Sequence, residues 1–338
     1  MTMQYRTLGP SGPAASVIAA GTWAIGGSWA HGWGPSDDGE SLKTLQRALD
    51  CGINLIDTAN VYGLGHSEEL ISQAIQGRRD KVYLATKVGA TLDAAGEVIW
   101  NSTPAHIFQE VEGSLRRLGT DYLDLYQIHW PDATTPLADT LGAFMRLVEQ
   151  GKIRHIGVCN FSLAQLQETV RHAPIATHQL RYNLLERDVE TDILPFCRKH
   201  QIGVLPYGPL GHGLLAGRFQ RGDTVGAEDW RSRYTLFQAG TFEKVLDLVE
   251  QLAALARRYE RPVCQLAINW LISQPGITSV LTGARRPAQV EENVGALDWT
   301  LTPEDQAEID RLVAAADLGL RLLPPDEYLE QTRQRGQS

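Results

Sequence analysis

Cysteine is scarce and scattered. The 338 residues hold four, Cys51, Cys159, Cys197 and Cys264, with no C-x-x-C pair. This spacing fits a reducing compartment better than a disulfide scaffold. Zinc-type spacing is missing too. Cys197 and His200 lie three apart without a second pair, so no metal site is expected. No uninterrupted apolar run approaches the ~20 residues of a membrane helix. Met1 to Pro10 has no apolar h-region, so no signal peptide is expected, and the cytoplasm is the default location. Basic residues are in the minority, 31 Lys and Arg against 40 Asp and Glu, a net charge of −9. That disfavours nucleic acid as the main partner. Neither a short-period repeat nor a linker-like stretch divides the chain, so residues 1–338 are read as one domain.

What the chain does have is an alternation of strand-like and helix-like segments. Apolar runs read as strands at Ala15 to Ala20, Ile53 to Ile56, Val82 to Thr86 and Tyr122 to Ile128. Four more follow at Ile153 to Cys159, Ile175 to Gln179, Ile202 to Pro206 and Ile277 to Thr282. Between them, apolar residues recur at helical spacing, as in Ile107, Val111, Leu115 and Leu118. Thr103-Pro104 opens that helix and Gly119 ends it. Eight such repeats without a Gly-rich opening motif favour an α/β fold of the closed (β/α)8 TIM barrel type; an open doubly wound sheet is the alternative. The Gly-rich stretch between Leu210 and Thr241 is long for a loop and reads as a functional cover or a disordered segment.

Three early strands end in an ionisable residue: Asp57, Lys87 and His129, with Tyr62 five residues after Asp57. Charge at the end of a buried strand is costly unless it is used or neutralised. In a barrel these ends share the C-terminal face, where active sites lie. Lys87 could lower the pKa of Tyr62 and so make it a proton donor, with Asp57 holding Lys87 charged. His129 could hydrogen-bond a substrate carbonyl oxygen. Taken singly, each has a plainer reading: a turn cap at Asp57, a lysine snorkelling to solvent, a turn aromatic, a structural histidine. Together they suit polarising a carbonyl and delivering a proton, and they lack an electron source, so reduction needs a hydride cofactor. With Lys87 as nucleophile, a Schiff-base aldolase is a competing enzyme class.

A second cluster lies where the eighth strand meets a helix. Gly283 lets a backbone approach a ligand, and the helix N-terminus with Arg285 and Arg286 suits phosphate. Gln289 and Asn293, four apart, are expected to face the same ligand. Asn160, Gln179 and Tyr207 offer bonds and a stacking face for a flat amide ring. Trp23, Trp29, Trp33 and Trp130 fall in or beside top-face loops and could wall a substrate pocket with Tyr62 and His129.

These residues stand in a pattern that resembles the aldo-keto reductase superfamily from about Tyr5 to about Ala316. The stretches that carry it are Asp57-Thr58-Ala59-Asn60-Val61-Tyr62-Gly63, Ala85-Thr86-Lys87, Gln127-Ile128-His129 and Gly157 to Ser162. Gln179 with Tyr182-Asn183, Pro206 to Leu210 and Gly283-Ala284-Arg285 complete it. The chain most resembles the bacterial branch that includes inositol-cluster and general-stress reductases and is related to potassium-channel β subunits. The resemblance implies a barrel closed at its bottom by an N-terminal hairpin, Met3 to Ile18, and covered by a long loop after Leu210. It implies a catalytic tetrad of Asp57, Tyr62, Lys87 and His129, with Tyr62 as general acid. It implies NADP as cofactor, held by Gly21, Thr22, Trp23, Asp57, Asn160, Gln179, Tyr207, Gly208, Pro209, Leu210 and Gly213 and by Gly283, Ala284, Arg285, Gln289 and Asn293. Arg285 would meet the 2′-phosphate. Two positions depart from the family pattern: Cys159 replaces a common Ser, and Thr282 a common Pro. The implied activity is NADPH-dependent reduction of an aldehyde or ketone, reversible on a sugar or polyol. An NADPH-binding, redox-sensing subunit of low turnover is the non-enzymatic alternative. Substrate specificity is expected in the loops with Trp29 and Trp33, in Leu92 to Ser102 and in the tail after Asp317; a homo-oligomer is compatible with the sequence.

Overall fold

The computed structural model describes residues 2–28, 32–93, 96–226 and 229–320. Trp29 and the tail beyond residue 320 lie outside the described residues. The chain opens with β1 (Tyr5–Thr7) and β2 (Ala14–Ser16), an antiparallel hairpin. Eight parallel strands then close on themselves: β3 (Ile18–Gly21), β4 (Leu55–Asp57), β5 (Tyr83–Val88), β8 (Leu123–Ile128), β9 (Ile153–Cys159), β10 (Thr177–Arg181), β11 (Gly203–Tyr207) and β12 (Val280–Gly283). This is the (β/α)8 barrel.

Helices form its outer layer: α1 (Asp38–Asp50), α2 (His66–Ala74), α3 (Pro104–Leu118), α4 (Leu137–Glu149), α5 (Leu163–His172) and α6 (Ile193–Lys199), then α7 (Thr241–Arg257), α8 (Val263–Ser273), α9 (Pro287–Val294) and α10 (Pro303–Ala316). Local chemistry starts them where expected. Asp37 accepts the Glu40 N–H at the start of α1. Ser162 and Gln165 form a reciprocal capping box on α5, an arrangement in which the cap alone is worth about 1 kcal/mol.

Side-chain alternation divides the core. Outward residues such as Ile18, Ile56, Leu84, Tyr126 and Ile156 join the helices in the main cluster. Inward residues Ala19, Leu55, Ala85, Leu125, Leu205 and Leu281 fill the barrel, and Leu8 and Ala15 of the hairpin join them. The hairpin is therefore the bottom plug. Arg6 fastens it by donating to the carbonyls of Ile272 and Ile277 at 3.0 and 2.6 Å. One inward step further along each strand stand Gly21, Asp57, Lys87, Gln127, Cys159, Gln179 and Tyr207, so the barrel's top layer is polar.

Three features differ from the sequence reading. The stretch Leu92 to Ser102, read as a loop, contains half of a hairpin, β6 (Ala90–Leu92) with β7 (Val98–Trp100). The stretch from Thr241 to Ser273, to which the sequence reading assigned no element, forms α7 and α8. In α8 every residue from Val263 to Ile272 is buried, which erases the one-sided pattern that marks a surface helix. The cover after Leu210 is a series of short 3₁₀ turns, Gly211–Ala216, Trp230–Arg233 and Thr235–Phe237.

Candidate active site

Asp57, the last residue of β4, and Lys87, on β5, are buried side by side. Lys87 Nζ donates to Asp57 Oδ1 at 2.5 Å, to the Thr58 carbonyl at 2.9 Å and to the Tyr62 hydroxyl at 3.3 Å. Burial pulls the Lys87 pKa down, but Asp57, Tyr62 and Cys159 outweigh it and the net shift is upward. The ammonium is thus fixed and charged, which makes it a poor amine nucleophile and counts against the aldolase reading.

Tyr62 reaches Lys87 from the 3₁₀ turn Tyr62–Gly65. Gly63 adopts φ +61, and a Cβ there would lie 1.8 Å from the Gly26 carbonyl oxygen. Two backbones thus cross directly beneath the tyrosine. The expected depression of the Tyr62 pKa is corrected by this geometry. Burial raises it, Lys87 lowers it and Asp57 raises it, with a net upward shift from 10. A charge pair costs the neutral phenol little, whereas removing water disfavours the phenolate strongly.

His129 follows β8, its ring edge-on to Tyr62 with centroids 5.9 Å apart. Burial first, then the Lys87 charge, holds its pKa well below the ordinary value. The imidazole is neutral, and its Nδ1 is buried with no hydrogen-bond partner among the described residues. A neutral ring offers one N–H to an oxygen without bringing a second cation to the site.

The amide-ring candidates are close by and already ordered. Asn160, at φ +60, donates to the His129 carbonyl at 3.0 Å and accepts from the Tyr207 hydroxyl at 2.8 Å. Gln179 Nε2 donates to Asp57 Oδ2 at 2.8 Å, which turns its carbonyl away from Asp57. Gln127 Nε2 donates to the same oxygen at 3.0 Å. Cys159 is buried beside this group, and burial pushes its thiol pKa up, so it stands as a neutral thiol. Thr22 ties β3 to β4 by donating to the Asp57 carbonyl at 2.9 Å, next to Gly21 and Trp23.

At the other end of the mouth, Gly283 has open space where a Cβ would project. Arg285 and Arg286 are exposed at the start of α9. The Gln289 side-chain Oε1 accepts the backbone N–H of both, at 2.8 and 3.2 Å, so it shapes the turn. Asn293, one turn further along α9, is buried, where α9 packs on α1 and α8. The Arg285 guanidinium donates to the Pro35 carbonyl, bridging the loop before α1. Gly208, Pro209, Leu210 and Gly213 follow the end of β11, and Ala284 follows the end of β12.

Aromatic residues wall the mouth. Trp23 and Trp33 lie 5.5 Å apart, and Trp230 from the cover lies 5.3 and 5.5 Å from them. His212 packs on Trp230 at 4.8 Å, and burial pushes its pKa down to about 4. On the Tyr62 side, Trp130 packs on Trp100 at 5.5 Å. Gln127, Trp100, Trp230 and His212 were missed as site residues. Gln127 carried a signal, since it lies two residues before His129 and so on the same inward face. Trp230 and His212 carried none, because nothing periodic marks where an irregular segment folds back.

A description of the aldo/keto reductase family matches residues 17–314. The chain belongs to the aldo/keto reductase family. It is 43% identical to the aldo-keto reductase YhdN of Bacillus subtilis (strain 168), over 92% of this chain and 94% of that protein. It is 36% identical to the NADH-specific methylglyoxal reductase of Escherichia coli (strain K12), over 93% and 100%. Among solved structures, the glycerol dehydrogenase AKR11B4 of Gluconobacter oxydans superposes with a TM-score of 0.86 at 41% identity, over 95% and 97%. An aldo-keto reductase of Klebsiella pneumoniae in complex with NADPH superposes with a TM-score of 0.73 at 33% identity, over 93% and 96%. This aldo-keto reductase is accordingly an oxidoreductase. Among its described residues no helix is long and apolar enough to cross a membrane.

Proposed function

We propose that the protein reduces small aldehydes or ketones, of sugar, polyol or 2-oxoaldehyde type, with NADPH, reversibly and with Tyr62 as the proton donor. The observation that carries this reading is the single ammonium of Lys87, bonded at once to Asp57 and to the Tyr62 hydroxyl at the barrel mouth. Bound nicotinamide would supply the hydride that these side chains lack. Tyr62 would give its proton to the carbonyl oxygen as hydride reaches the carbon, and Lys87 would steady the phenolate left behind. Neutral His129 would donate an N–H to the same oxygen and fix its place. Trp23, Trp33 and Trp130 would wall the substrate. The family membership and the NADPH-bound relative support the cofactor, and the glycerol dehydrogenase and the NADH-specific methylglyoxal reductase among its relatives support the substrate type.

Asn160, Gln179 and Tyr207 would hold the nicotinamide end; Gly283 to Asn293 would hold the adenosine end. The exposed Arg285 fork suits a 2′-phosphate. Arg285→Ala is therefore expected to weaken NADPH binding by about tenfold, on the scale of one charge-assisted hydrogen bond, and to leave NADH binding nearly unchanged. Fluorescence titration with each cofactor measures this. Equal losses for both would remove Arg285 from the phosphate.

Gly63→Ala should lower turnover by about tenfold with cofactor binding kept, because the Cβ collides with backbone and displaces Tyr62. The reading as a whole is tested by NADPH consumption on methylglyoxal, glyceraldehyde and simple ketones, and by NADP reduction on glycerol. Tight NADPH binding without turnover on the whole panel would favour a redox-sensing subunit instead.

A further inference from the structure

Asp57 carries more donors than its ion pair needs. Lys87 takes Oδ1, while both Gln127 and Gln179 give Nε2–H to Oδ2. Gln127 is fully buried on the inner face of β8. Its neighbour on β9 is Gly157, where a Cβ would come within 2.9 Å of Gln127 Cγ, so the adjoining strand leaves the room the side chain occupies. One layer below, the same face carries Leu125, in an apolar cluster. An apolar residue would continue that cluster with no polar group to satisfy. The amide is there for Asp57.

A carboxylate with one fixed oxygen can still swing about its Cβ–Cγ bond; two oxygens held from three directions cannot. We propose that Gln127 is a positioning residue, which with Gln179 locks Asp57 so that Lys87 stays aimed at the Tyr62 hydroxyl. Gln179 is also the amide placed at the nicotinamide seat, so the cofactor seat and the proton-donor group share one buried oxygen. This rests on the reading of Tyr62 as proton donor.

The groups that face Tyr62 include Lys87, Asp57, Cys159 and His129, and of these Lys87 supplies the field that favours the phenolate. If Lys87 drifts, that field weakens. The test uses the full-length protein and a panel substrate that the wild type turns over. In Gln127→Leu, turnover should fall about 10- to 100-fold, with the NADPH dissociation constant within about threefold. The pH at which alcohol oxidation reaches half its maximum should rise by about one unit, because Tyr62 must then lose its proton against less help. Gln127→Met, unbranched and equally apolar, covers the case in which Leu does not fold. Gln127→Glu should recover toward wild-type turnover as pH falls, since a protonated acid can donate where the amide did.

Wild-type turnover and pH profile in the Leu or Met variant would overturn the proposal. So would a loss confined to NADPH affinity, or failure of both variants to bind NADPH, which would make Gln127 a folding residue. Tyr62→Phe runs alongside. If it is inactive while Gln127→Leu behaves as wild type, only the role of Gln127 falls; if it stays active, the proton-donor reading itself has failed.

Discussion

Tyr62→Phe is expected to lower carbonyl reduction by about 10²-fold or more, the scale of general acid catalysis, while NADPH binding stays within about threefold. Phenylalanine keeps the ring that packs edge-on to His129 and loses the hydroxyl 3.3 Å from Lys87. Folding should be little affected, since a hydrogen bond such as that to Lys87 is worth only about 1 kcal/mol net. Because Tyr62 is held above its ordinary pKa near 10, it stays protonated through the neutral range. Reduction, which needs the phenol, should then be nearly flat with pH and fall only in the alkaline range. Oxidation, which needs the phenolate, should rise with pH over the same span. Stopped-flow oxidation of bound NADPH by the carbonyl, and reduction of bound NADP by the alcohol, measure the two limbs across pH. Undiminished turnover in Tyr62→Phe would sink the assignment of the proton donor.

That result would also bear on how such a site is read from sequence. Asp57, Lys87 and His129 were legible because each ends an apolar strand, and a barrel brings strand ends together whatever the loops do. Their distances from one another were implied by strand order, since β4, β5 and β8 are consecutive around the ring. The sign of the Tyr62 shift was not legible. It depends on whether burial or the Lys87 charge wins, and burial is a property of the closed mouth. Trp230 and His212 lay beyond reach for a related reason. They arrive by way of an irregular segment whose path is set by packing on Trp23 and Trp33, not by any local pattern.

Lys87→Met is expected to damage both stability and chemistry, and the two can be separated. Lys87 is 0% exposed and Asp57 3%. Among the described residues, removing the cation leaves a buried carboxylate with only the amides of Gln127 and Gln179. Breaking a buried pair on one side typically costs about 3–5 kcal/mol, here on the order of a 10 °C fall in melting temperature. Turnover should fall at least as far as in Tyr62→Phe, since the phenolate loses the cation beside it. Adding Asp57→Asn removes the stranded charge while keeping the shape, so the double variant should regain much of the stability and none of the turnover. The wild-type pair has its own pH signature. Because the Lys87 pKa is raised above its unfolded value near 10.5, its contribution to stability is fully present below that pH. It is lost only as the pH climbs through the higher folded-state value. Melting curves from neutral to strongly alkaline pH should therefore show a steeper alkaline decline for wild type than for the double variant. Parallel curves, or a double variant no more stable than Lys87→Met, would mean that the pair is not what holds this end of the barrel together.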